Sequence, residues 1–249
     1  MFEPTKLSSA QIRLCEKTIS PNAFFLLVQD ALLRHNPLSV VRMADGEWLL
    51  WRQSGEGDEN EQPAGRSERW KKNLGCEGIT KKELLRRLRS AAEACTYFSP
   101  SISGIVNPDY DIYRLFRPRG CYVDNFFVNQ WDEWMIRQLY ELAGHVLLIH
   151  RSAEVADALQ IRARELLKVK VTFLRHSDWQ DSLAVIAGAE EVDAKLVIAS
   201  VGPAGKFILP RIANSSRGPK VVLDIGNTMD RFTLEKTENE QKKLQEATV

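Results

Sequence analysis

Apolar residues along this chain follow two rhythms: short unbroken runs, and longer stretches in which they recur every three or four positions. The unbroken runs predict strands at Leu38–Arg42, Thr96–Phe98, Cys121–Val123, His145–His150, Lys170–Leu174, Lys195–Ser200 and Lys220–Asp224. The periodic stretches predict helices at residues 8–17, from Pro21 to Asn36, from Trp48 onward, and at Thr80–Cys95, Gln130–Ala143, Ala153–Leu167, Asp181–Glu190 and Pro203–Ser215. Ser20-Pro21 is a helix start, and Pro37 is a stop because it cannot continue the hydrogen-bond ladder. In Thr80–Cys95, Leu84, Leu85, Leu88, Ala91, Ala92 and Cys95 form one stripe, while Lys81, Lys82, Arg86, Arg87 and Arg89 fall elsewhere. That basic face reads as solvated surface ahead of a phosphate site.

Apolar strands alternating with helices need a sheet covered on both sides. The predicted fold class is therefore α/β, a Rossmann-like, mostly parallel sheet flanked by helices. Residues 1–232 read as one domain. Residues 233–249 form a charged tail, a solvated helix or frayed end, with docking to another subunit as the other reading. Between Gln53 and Arg66 the composition turns to Gly, Glu, Asp, Asn and Pro, as in an exposed loop.

Composition narrows the partners. The chain has 249 residues, 44% of them hydrophobic, enough for a full core. Lys and Arg number 34 against 33 Asp and Glu, so the net charge of +1 offers no global attraction for nucleic acid. Cys15, Cys76, Cys95 and Cys121 are scattered without a C-x-x-C pair, which argues against structural zinc and a disulfide framework and for reduced thiols. The start, Met1-Phe2-Glu3-Pro4, lacks the pattern of a signal peptide, and no apolar run is long enough to form a transmembrane segment. A cytoplasmic location is the expectation, and the oligomeric state is left open.

In parallel sheets ligands bind beyond the carboxyl ends of the strands. The residues placed there are Arg42, Asp45 and Glu47; His150, Arg151 and Ser152; His176, Ser177 and Asp178; Gly202, Pro203 and Ala204; and Asp224, Gly226 and Asn227. Asp45 and Glu47 lie two residues apart, so in an extended segment their carboxylates point the same way, and Gly46 lets the backbone approach what they hold. Such a pair suits Mn²⁺ or Mg²⁺ shared with a diphosphate, with Arg42 as a bidentate phosphate partner or an orienter of the acids. The same two acids would equally serve as helix N-cap and first-turn charge. Gly202-Pro203-Ala204 after a strand could present backbone to an anion or simply make a tight turn. Arg151 and Ser152 could meet a phosphate or sugar, or form a surface connection. Asp224 ends a buried strand and so either caps a turn or faces the cleft as a base; Asp124 is a weaker cleft candidate, more often a turn former.

Ser39-Val40-Val41-Arg42-Met43-Ala44-Asp45-Gly46-Glu47 resembles the SxxRxGDGE segment of the GT-D fold glycosyltransferases, a bacterial family. Leu196 to Ala204 looks like that family's apolar strand followed by GPxA, and Val221 to Gly226 like its closing DIGH. Ala44 and Asn227 stand where the family usually has glycine and histidine, and the charged tail replaces an aromatic ending. The resemblance implies a metal-dependent transferase moving a sugar from a nucleotide-diphosphate sugar, a UDP-sugar by expectation, to a glycan or glycoconjugate acceptor. It puts Asp45 and Glu47 at the cation. A non-catalytic nucleotide-sugar or sugar-phosphate binding module is the alternative, and a metal-dependent phosphohydrolase a third reading.

Overall fold

The computed structural model describes residues 14, 16–43, 47, 72, 74–100, 121–226 and 232. The predicted loop at Gln53–Arg66, the helix from Trp48, most of the helix at 8–17 and the tail from 233 lie outside them. The strands are β1 (Thr18–Ile19), β2 (Leu38–Met43), β3 (Tyr97–Pro100), β4 (Cys121–Val123), β5 (His145–His150), β6 (Lys170–Arg175), β7 (Leu196–Ala199) and β8 (Val221–Asp224). They form one sheet in the order β1-β4-β3-β2-β8-β7-β5-β6, and every neighbouring pair is parallel. The fold is α/β and Rossmann-like, as the strand pattern predicts. β1 escapes sequence reading because two residues carry no period; it is held by pairing Thr18 and Ile19 with Tyr122 and Val123 at the edge.

The helices are α1 (Pro21–Arg34), α2 (Lys81–Ala94), α3 (Phe127–Gln130), α4 (Glu133–Ala143), α5 (Ala153–Arg162), α6 (Ser182–Glu191), α7 (Gly202–Gly205) and α8 (Ile208–Ala213). Crossovers between parallel strands are right-handed, so the direction of each step decides its face. Steps toward the β1 edge put α2, α6 and α8 on one face, over Val41, Met43, Leu147, Ile149, Val197 and Val222. Steps toward the β6 edge put α1, α4 and α5 on the other, over Val40, Val146, Leu148, Leu196, Ile198 and Leu223. Central strands bury both faces, which is why they read as unbroken apolar runs.

Three predicted helices are interrupted for identifiable reasons. Gln130–Ala143 breaks at Trp131, whose indole donates to the Pro21 carbonyl at 3.0 Å while its rings pack on Phe24, Phe25 and Phe127. Asp132 then caps α4 through the Met135 N–H at 2.8 Å. Ala153–Leu167 changes from α to a π turn at Ala163–Leu167 and ends on left-handed Lys168. Pro203–Ser215 splits because Pro210 has no N–H for the Lys206 carbonyl, which instead accepts the Leu209 N–H at 3.2 Å.

The chain leaves β5 toward one edge of the sheet and β7 toward the other. That reversal opens a crevice at their carboxyl ends, and the segment following β7 forms one of its sides.

Candidate functional site

Beyond the carboxyl ends of β2, β7 and β8 lies a buried cluster of four charged side chains. Lys206, between α7 and α8, sends its ammonium to the Glu47 carboxylate at 2.8 Å and to Asp224 at 3.1 Å, and donates also to the Arg42 carbonyl. Three acceptors for three N–H donors leave the ammonium satisfied. Glu47, Lys206 and Asp224 are 6%, 6% and 1% exposed. Burial works against charge on Lys206, but Asp224 and then Glu47 outweigh it, and its pKa is raised above the ordinary lysine value.

Asp224 holds the strand ends together. Its Oδ2 accepts the Arg42 N–H at 3.0 Å as well as Lys206, and its Oδ1 accepts the Gly226 N–H at 3.1 Å. Of the two roles predicted for it, the turn cap is present, and both oxygens are engaged internally. The Arg42 guanidinium is fixed by Nε, which donates to the Asn125 carbonyl at 3.1 Å and to its Oδ1 at 2.5 Å, and by Nη1, which donates to the Ile225 carbonyl. Burial lowers the Arg42 pKa, opposed by Asp224, Glu47 and Asp124. Gly226, at φ +53°, is required here, because a Cβ would stand 2.8 Å from Arg42 Nη1. Ser99, paired in register with Arg42 on the adjoining strand, is fully buried, and its hydroxyl has no hydrogen-bond partner among the described residues. A buried hydroxyl in that state is a place where a bound group could supply a bond.

The remaining predicted residues divide. Asp45, Gly46 and Asn227 lie outside the described residues. Gly202 has φ +65°, and a Cβ there would lie 2.5 Å from the Leu74 carbonyl oxygen, so the glycine serves close backbone packing. Pro203 and Ala204 are buried in the same turn, which brings Lys206 to the cluster. Ser152 caps α5, accepting the Val155 N–H at 3.3 Å, and Arg151 is exposed at the same sheet edge. Asp178 and Asp181 form a capping box, and buried His176 sits 3.3 Å from the Ser182 hydroxyl with its pKa lowered by burial. Asp124 forms its expected turn, accepting the Phe126 N–H at 3.1 Å.

Two residues of the cluster escape sequence reasoning, Lys206 and Asn125. A lone lysine inside the otherwise apolar stretch Val201 to Pro210 is the signal that could have found the first. Nothing local distinguishes Asn125 from a turn asparagine.

The cation that the resemblance implies has carboxylate donors of the right kind here, since hard oxygens suit Mg²⁺ or Mn²⁺. The gap between Glu47 and Asp224 is itself taken by the Lys206 ammonium, and Asp45 and Glu47 are the residues that the resemblance implies would hold a divalent ion. Among the described residues no three His, Cys, Asp or Glu side chains gather as a ligand set. Cys76, Cys95 and Cys121 are free thiols, the first two pushed up by burial to about 11 and about 12. Among the described residues no helix is long and apolar enough to cross a membrane. Comparisons with family models, curated proteins and solved structures return no match for this chain.

Proposed function

We propose that this chain is a glycosyltransferase that moves a sugar from a nucleotide-diphosphate sugar to a glycan or glycoconjugate acceptor. The observation that carries the reading is convergence: two segments far apart in sequence that resemble GT-D motifs supply Arg42 and Glu47, and Asp224, to one cluster at the carboxyl edge, and the third such segment, ending at Ala204, leads directly into Lys206, which pairs with both acids. The Ser99 hydroxyl, in register with Arg42 and without a partner among the described residues, adds a polar group suited to a ligand.

In this reading the chain's own residues mainly bind and orient. Lys206 and Asp224 hold Glu47 and the Arg42 backbone in register. The Arg42 guanidinium, anchored along one edge by Asn125 and Ile225, offers its remaining N–H groups to phosphate oxygens. Mn²⁺ or Mg²⁺ held by Asp45 and Glu47 would supply charge stabilisation to the leaving diphosphate. Asp224, with both oxygens accepting internal N–H groups, positions the site in this geometry rather than taking the acceptor's proton.

Sugar transfer from a panel of nucleotide sugars in the presence of Mn²⁺ tests the reading. Asp45→Ala and Glu47→Ala should each lower kcat/KM by about 100-fold, the scale of losing one charge-stabilising contact. Turnover unchanged in both variants would remove the assignment. Internal saturation of the cluster favours one other reading, a nucleotide-sugar or sugar-phosphate binding module without transfer. Donor binding with neither transfer nor donor hydrolysis across an acceptor panel would select it.

A further inference from the structure

A concavity separate from the charged cluster is lined by Phe207, the residue that follows Lys206. Its volume is about 360 Å³, and it lies between α2, the Trp179–Asp181 turn and α8. Arg86, Arg87 and Arg211 line it together with Trp179, Phe207 and Leu183, and among the described residues no carboxylate lines it. Glu83 on α2 binds Arg86 at 2.7 Å and Arg87 at 2.6 Å, and Asp181 in the adjoining turn is engaged by the Ser177 and Asp178 N–H groups at 2.8 and 3.0 Å.

The arginines are held in place before any ligand arrives. Arg87 is stacked 4.7 Å from the Trp179 ring centroid and 4.5 Å from that of Phe207, and Arg211 lies 5.2 Å from Phe207. Stacking on aromatic faces fixes the guanidinium plane, and Arg87 is held further by Nε, which donates to Glu83 at 2.6 Å, and by Nη1, which donates to the Trp179 and Ala204 carbonyls at 3.5 and 3.4 Å. Arg86 and Arg211 are exposed, and Leu183 is 70% exposed at the rim. Cationic donors thus adjoin a bare apolar surface in a volume suited to a small molecule.

We propose that this pocket is a binding site for a small phosphate monoester bearing an apolar group. The phosphate would rest on Arg86, Arg87 and Arg211, and the apolar part on Trp179 and Leu183. The site is separate from the donor site proposed above and does not depend on sugar transfer.

Titration calorimetry of the full chain with octyl phosphate and with inorganic phosphate tests it. Octyl phosphate should bind at least about tenfold more tightly than inorganic phosphate, the apolar contact making the difference. Arg86→Gln and Arg211→Gln should each weaken octyl phosphate about tenfold, the scale of one charge-assisted hydrogen bond. Both side chains are exposed, so these variants should fold as the parent does, Arg86→Gln losing only its surface pair with Glu83. Parental binding by both arginine variants or equal affinity for the two probes would each overturn the proposal. Because no step measures transfer, failure here and failure of the transferase reading are distinguishable.

Discussion

Lys206 is the residue on which the charged cluster turns. A buried ion pair contributes little net stability, because desolvation offsets attraction, but removing one partner leaves uncompensated charge behind. Lys206→Met would leave Glu47 and Asp224 without their shared cation. The expected loss is about 3–5 kcal/mol, read as a lowered urea midpoint at unchanged slope. An unchanged midpoint would show that the ammonium is not compensating these acids. The sign with pH is fixed by the raised Lys206 pKa: its contribution is complete below the ordinary lysine value and is lost as pH rises through the raised one. The strand-end pattern made Arg42 and Glu47 legible as site residues. It could not show that residue 206 would neutralise residues 47 and 224, since that pairing exists only after β2, β7 and β8 are aligned.

At the scale of one element, α2 shows how a local pattern is read correctly in part. Thr80 caps it, accepting the Glu83 N–H at 3.2 Å, and its apolar stripe faces the sheet as the period predicts. Its charged face is more organised than solvated surface. Glu83 joins Arg86 and Arg87, and those hydrogen bonds, Arg86 first and then Arg87, pull its pKa down to about 2 from an ordinary 4.5. A carboxylate lowered in this way contributes stability that is complete above 4.5 and lost as pH falls toward about 2. Glu83→Gln should therefore flatten the dependence of the melting temperature on pH across that acid window. A variant that melts in parallel with the parent at every pH there would show that the pairs contribute nothing. Helical spacing places Arg86 and Arg87 next to Glu83 on the sequence alone. The stacking of Arg87 between Trp179 and Phe207 depends on two other segments and has no local signal.

For the whole molecule, β8 is the strand that joins the two halves. It lies between β2 and β7, pairs with both in parallel, and all four of its residues are buried. A chain ending at Ser215 would lose it, exposing the inner edges of β2 and β7 and removing Asp224 from the cluster. Such a chain should show no cooperative urea transition by circular dichroism, because unpaired central strands leave buried backbone groups without partners. A cooperative transition at the full-length midpoint would mean that the halves fold without their connecting strand.

By itself the sequence determines the class of this protein: unbroken apolar runs separated by amphipathic stretches must become strands buried between layers of helices, and each motif must then fall at the end of a strand. Those conclusions rest on burial and period, which are local properties. Only the tertiary structure decides strand order, and with it which motifs meet. Alignment of β8 between β2 and β7 sets Asp224 against the Arg42 backbone, and the Pro210 interruption separates α7 from α8 where Lys206 reaches both acids. These are pairings between residues as many as 182 positions apart, for which chain proximity supplies no information.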